Sequence, residues 1–174
     1  NPAKEQEALN NYLKTNSTDF NSANGLIKLT PNEPIVLTFD DGSSVEYRLT
    51  VTEEPISPSN SNTLQSGKKT YRVDKFYNYL IGNARIFLTA ECTQNNRHVT
   101  IDRAYDDVFA VLASVSNRKV SILKANGYNN TYAVAECSGD IQFEITKVGP
   151  WHQKSYRIQI HVDPIGAAYL KVLM

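Results

Sequence analysis

Beyond its first two dozen residues, this chain is governed by a period of two. Ile35, Leu37 and Phe39 alternate with Val36 and Thr38, Asp40-Asp41-Gly42-Ser43 supplies a turn, and Val45, Tyr47, Leu49 and Val51 alternate with Glu46, Arg48, Thr50 and Thr52. Alternation puts every second side chain on one face of a pleated strand, so the pattern predicts a hairpin with one dry side. Further strands are expected at Tyr71 to Val73, Tyr77 to Leu80, Arg85 to Cys92, His98 to Ile101, Lys119 to Lys124, Thr131 to Cys137, Ile141 to Thr146, Tyr156 to Val162 and Tyr169 to Leu173. Turns are expected at Gln94 to Arg97, Asn126-Gly127, Ser138-Gly139-Asp140 and Gly149-Pro150, while Tyr105 to Val115 fits either a strand or one short helix.

Two segments depart from that period. Within residues 1–24, Pro2 suits a first helical turn and Ala3 to Leu13 places Leu9, Tyr12 and Leu13 on one stripe, which predicts an N-terminal helix followed by a lead-in. Glu53 to Lys69 carries Pro55, Pro58 and a Ser/Asn/Thr-rich run with no period, and is expected to be a long mobile loop. The whole reads as one domain over 1–174: an all-β, mainly antiparallel sandwich or open barrel of about nine or ten strands with a short N-terminal helix. In general look it resembles small exported β domains of Gram-positive bacteria, without a motif that carries residues over.

One echo stands out. Gly82 to Thr93 reappears at Gly127 to Ser138, and the shared Ala-Glu-Cys core holds both cysteines of the chain. The alternation sets Cys92 and Cys137 on the apolar side of their strands and Glu91 and Glu136 on the other. A disulfide between them is expected; it would close a loop of about 45 residues and add roughly 4 kcal/mol in the chain-entropy model. Such a bond, with abundant Asn, Ser, Thr and Tyr, one Met and a start that reads as a trimmed mature end, points to an exported or cell-surface protein.

Charge and motifs narrow the function classes. Lys plus Arg and Asp plus Glu number 18 each, so the basic footprint of a nucleic-acid binder is missing. No apolar run is long enough for a membrane-spanning helix. Phosphate loops, nucleophile elbows and zinc-ligand spacings are absent, and no cofactor is expected. Asp40-Asp41-Gly42 and Asp102 with Asp106-Asp107 hold carboxylates of the kind calcium takes, which turn chemistry explains as well. Glu91 with Glu136, or Asp106 with Asp107, are the carboxylate pairs a secreted hydrolase would need.

Aromatic residues carry the remaining signal. With ten tyrosines and one tryptophan, the chain can display rings on strands and turns, where large apolar area binds glycan or protein partners at little entropy cost. Trp151, Tyr128 and Tyr156 are the candidate ligand-binding residues, and no catalytic residue is assigned. The expected function is a non-catalytic binding module for a protein or glycan partner, the alternatives being a secreted hydrolase or a structural accessory domain.

Overall fold

A computed structural model describes residues 2–15, 20–21, 24–54, 67–144 and 152–172. Mainly antiparallel strands form two sheets, one of them curled into a half-barrel, and a single short helix stands at the N-terminal end. Helix α1 spans Pro2–Thr15, followed by β1 (Phe20–Asn21), β2 (Leu26–Leu29), β3 (Ile35–Thr38), β4 (Ser44–Glu53), β5 (Gly67–Tyr79) and β6 (Gly82–Gln94). The rest are β7 (His98–Val111), β8 (Ala113–Lys124), β9 (Asn126–Tyr128), β10 (Ala133–Phe143), β11 (His152–Val162) and β12 (Ala168–Lys171). The first sheet runs β1-β2-β12-β11-β10-β8 and the second β3-β4-β5-β6-β7-β9.

The period of two decides which side chains enter the core. Val45, Tyr47 and Leu49 of β4, Tyr71, Val73 and Tyr77 of β5, and Ala84, Ile86, Leu88, Ala90 and Cys92 of β6 face inward from the second sheet. Ala133, Ala135, Cys137, Ile141 and Phe143 of β10 and Tyr156, Ile158, Ile160 and Val162 of β11 face them from the first. Removing such rows from water is the main favourable term, about 1.5–3 kcal/mol for each large apolar side chain. One cluster of buried residues draws on both sheets and on Leu9 and Leu13 of α1.

Two expectations change here, and one open choice is settled. The turn at Ser138-Gly139-Asp140 does not form, because β10 runs through it in unbroken register with β11, while its pairing with β8 shifts register between Ser138 and Asp140. Asp140 is held in the strand by Asn117 Nδ2 at 2.8 Å and Ser155 Oγ at 2.7 Å, so its carboxylate needs no turn. Tyr105 to Val115 is strand throughout, the end of β7 and the start of β8, joined at Leu112 in a left-handed conformation. The corner crosses above Gly82, where a Cβ would lie 2.8 Å from the carbonyl oxygens of Val111 and Leu112, and the φ of 151° adds a second reason for glycine. At the long loop, Glu53 pairs with Lys69, which narrows the break to Glu54 and residues 55–66, and the latter lie outside the described residues.

The third correction concerns sulfur. Cys92 and Cys137 are both buried free thiols, and the expected disulfide is not formed. Cys92 sits in β6 opposite Lys69 and Ile101, and Cys137 in the other sheet opposite Val120 and Ile158. Burial pushes both thiols up to about 12, with nearby Asp102 adding for Cys92 and Asp106 for Cys137. The nucleophilic form is the thiolate, so both are inert core residues.

Helix α1 is pinned by charge as well as by its apolar stripe. Glu5, in its first turn, meets two inward-facing lysines: Lys75 of β5 at 2.5 Å and Lys154 of β11. Tyr47 donates its hydroxyl to the same carboxylate at 3.0 Å, and Lys154 reaches Tyr79 Oη at 3.3 Å. The Lys75 ammonium lies 5.0 Å from the Tyr47 ring and 4.8 Å from that of Tyr77. One carboxylate thus joins both sheets to the helix.

Candidate functional site

The expected site residues do not converge. Tyr156 is buried, 4 % exposed, with its ring in the core, so it cannot serve as an exposed platform. Tyr128 is 54 % exposed at the edge strand β9, and Trp151 lies outside the described residues. Glu91 and Glu136 sit one position from inward cysteines in different sheets, so they project from opposite outer faces and share no cleft. Asp106 and Asp107 are consecutive strand residues on opposite sides of β7. Arg118 clamps Asp106 through Nε–Oδ2 at 3.0 Å and Nη2–Oδ1 at 2.9 Å, and Asp107 accepts the Val108 amide at 2.9 Å.

The acidic turns are committed to local bonds. Asp41 accepts the Ser43 amide at 2.9 Å and its hydroxyl, which together hold the carboxyl below its usual range. Asp102 accepts the Thr93 hydroxyl at 2.6 Å. Among the described residues, no three His, Cys, Asp or Glu side chains are grouped to hold a metal ion.

A different surface gathers chemistry: the outer face of the second sheet. Arg72, Asp74 and Phe76 of β5 alternate with inward Val73, Lys75 and Tyr77; Arg85, Phe87 and Thr89 follow on β6, and Arg103, Tyr105, Asp107 and Phe109 on β7. Registers place Arg85 between Phe76 and Phe109, and Phe87 between Asp74 and Asp107. The Arg72 guanidinium lies 3.8 Å from the Phe87 ring centroid, Arg85 4.4 Å from Phe76, and Arg103 4.7 Å from Tyr105. Each cation faces the negative side of a ring, which holds both side chains flat on the sheet. Burial raises the Asp74 carboxyl above its usual range despite the Arg85, Arg48 and Arg72 charges around it.

Phe109 is 63 % exposed, and Tyr105, Val111 and Leu112 are exposed with it. Farther along the same face, Tyr128 stacks on His98 with parallel rings 4.3 Å apart. The His98 Nε2 lies 2.9 Å from Asn126 Oδ1 and 3.1 Å from Thr100 Oγ1, and Thr100 donates to the same Asn126 oxygen at 2.8 Å. A pre-ordered imidazole thus supports the exposed ring, and the face carries aromatic area from β5 to β9.

The outer face of the first sheet has a smaller cluster. Tyr132 packs edge-on against His161 and Tyr169, with centroids 5.7 and 5.3 Å away. His161 Nε2 contacts Gln159 Oε1 at 2.7 Å, and Gln159 Nε2 donates to Glu136 at 2.8 Å. Burial, helped by the Lys171 charge, holds His161 down at about 4, so its ring is neutral near pH 7. This cluster is half-buried and internally bonded.

Sequence reasoning missed the arginine–aromatic face because it weighed the tyrosines and the tryptophan and left the phenylalanines aside. The usable signal was Phe76, Phe87 and Phe109 at the polar positions of alternating strands, each near an arginine. No protein-family model matches the chain, and no curated protein or solved structure matches it significantly.

Proposed function

We propose that this chain is a non-catalytic binding module, exported or at a cell surface, that engages a protein partner through the outer face of its second sheet. The observation that carries the reading is the set of three arginine–aromatic pairs at 3.8, 4.4 and 4.7 Å beside the exposed ring of Phe109. Arginine, tyrosine and phenylalanine are the side chains that concentrate binding energy at protein interfaces, and rings fixed before contact lose little entropy on docking. Asp74, Asp107 and Glu46 neighbour the arginines on the same face, so the charge is mixed, which suits a protein surface better than a phosphate backbone. Export now draws on composition alone, since both thiols are free.

The test compares affinity capture by the wild type with capture by a Tyr105→Ser/Phe109→Ser variant of unchanged circular dichroism. A saturable protein partner held by the wild type and lost from the variant supports the reading, each hot-spot truncation costing about 2 kcal/mol. Identical captured sets, or saturable binding to an arrayed glycan that both proteins share, would overturn it. Cell fractionation checks the compartment separately.

A further inference from the structure

The ion cluster under α1 contains more positive charge than its attachment requires. Lys75 and Lys154 are 8 % and 4 % exposed, and the single Glu5 carboxylate answers both. Among the described residues one positive charge is left over, in a site where burying an unpaired ion costs several kcal/mol. Beside the cluster, where β12 ends and β11 continues, lies a cleft of about 260 Å³ lined by Glu5, Tyr47, Lys75, Lys154, Arg157 and Lys171 among others. Among the described residues, Glu5 is the one acidic residue in its lining. The Lys171 ammonium donates to the Asn24 carbonyl, and Arg157 stands 3.7 Å from Glu136, a distant pairing. Tyr77, whose ring faces both lysines at 4.8 and 5.2 Å, has a buried hydroxyl without a hydrogen-bond partner among the described residues.

Helix α1 is held at this site by a narrow apolar stripe and by Glu5. Its apolar contribution to the core is Leu9 and Leu13, with Ala8 and Tyr12 packed at the margin, and its main backbone approach is to β3. Fourteen residues with so narrow a stripe form a marginal helix without tertiary support. The Glu5 ion pairs therefore hold a large share of its docking.

We propose that the cleft under α1 is a receptor for a small anion, a carboxylate or phosphate group, which pairs with Lys154 and Lys75 in the place the Glu5 carboxylate holds. Glu5 is the tethered occupant, and an arriving anion frees the first turns of α1. Arg157 and Lys171 at the cleft wall draw the anion in and contact the rest of the ligand. The site is independent of the outer face of the second sheet.

The test uses the full chain as wild type, Glu5→Gln and Glu5→Gln/Lys154→Gln, with sodium formate and sodium phosphate against sodium chloride at matched ionic strength. Glu5→Gln is expected to melt below the wild type and to recover in formate or phosphate beyond its response to chloride. The double variant is expected to lose that recovery. Which anion acts distinguishes a carboxylate from a phosphate ligand. If neither anion outperforms chloride on Glu5→Gln, or the double variant recovers equally, the proposal is overturned. Should Glu5→Gln not fold, hydrogen exchange of the wild type decides: amides of residues 3–15 exchange faster as formate or phosphate rises, about tenfold for each 1.4 kcal/mol of differential binding. Exchange in α1 that is indifferent to both anions overturns it.

Discussion

The ring of Tyr156 lies over Gly139, its cross-strand partner, so closely that a Cβ on residue 139 would stand 2.5 Å from the phenolic oxygen and 2.8 Å from Cε1 and Cζ. The missing side chain is what admits an aromatic ring into the core between β10 and β11. Gly139→Ala is therefore expected to destabilise the fold by about 1–3 kcal/mol, the usual cost of overpacking. Tyr156→Leu in the same background should recover part of that loss in a double-mutant cycle. An unchanged urea midpoint for Gly139→Ala would reject the packing argument.

Two hydroxyls are buried without a partner among the described residues, those of Tyr77 and Tyr156. Burial drives both phenols well above their ordinary range. Removing an unsatisfied polar atom should cost nothing, so Tyr77→Phe and Tyr156→Phe are each expected to leave stability unchanged or raise it by up to about 1 kcal/mol. Tyr71→Phe is the contrast. The Tyr71 hydroxyl donates to Gln94 Oε1 at 2.6 Å inside the core, and its loss should cost about 1 kcal/mol or more.

Acid should lower stability in two separable pH windows. Burial holds His161 at about 4 against an ordinary value of 6.5, so the unfolded chain binds the extra proton first. Stability from this group is complete above pH 6.5 and falls as pH drops toward 4. Burial works to raise Glu5, but Lys75 and Lys154 outweigh it and hold the carboxyl at about 2 against 4.5. Its contribution, about 3 kcal/mol by linkage, is present above pH 4.5 and is lost between there and pH 2. Melting curves across pH should show His161→Gln flattening the upper window and Glu5→Gln the lower one. Loss of both windows in either variant would contradict the assignment.

Thiol titration reads the sulfur directly. Both thiols should resist an aromatic disulfide reagent in the native state, being buried and pushed up to about 12. Both should react in denaturant without any reductant. Thiols that react only after reduction would restore the disulfide and the oxidising compartment with it.

The strands were readable because a two-residue period with Val, Ile, Leu and Tyr on one side leaves little else to form, as in Val45, Tyr47 and Leu49 or Ile158, Ile160 and Val162. The echoed segments became β6 and β10, with their cysteines inward as alternation required. Their resemblance ends after the cysteine, where β6 soon turns into β7 while β10 runs on through Gly139 under the ring of Tyr156. Local turn propensity could not foresee that cover, which comes from another strand. The cluster at Glu5 was hidden for the same reason, since helix, β5 and β11 meet only in three dimensions. Its trace in the sequence was one lysine in each apolar row: Lys75 between Val73 and Tyr77, and Lys154 ahead of Tyr156.

Strand order also sets a timetable for folding. Strands β3 to β7 each pair with the next along the chain, so the contacts of the second sheet are local in sequence and it can form early. The first sheet is completed by the ladder of β2 on β12, which joins Ile27 to Leu170 and so must gather both ends of the chain. Pulse-labelled hydrogen exchange should find amides of β4 to β6 protected before those of β2 and β12. Until that last ladder forms, the nascent sandwich is open on the side where α1 docks, and its two buried lysines are still in water.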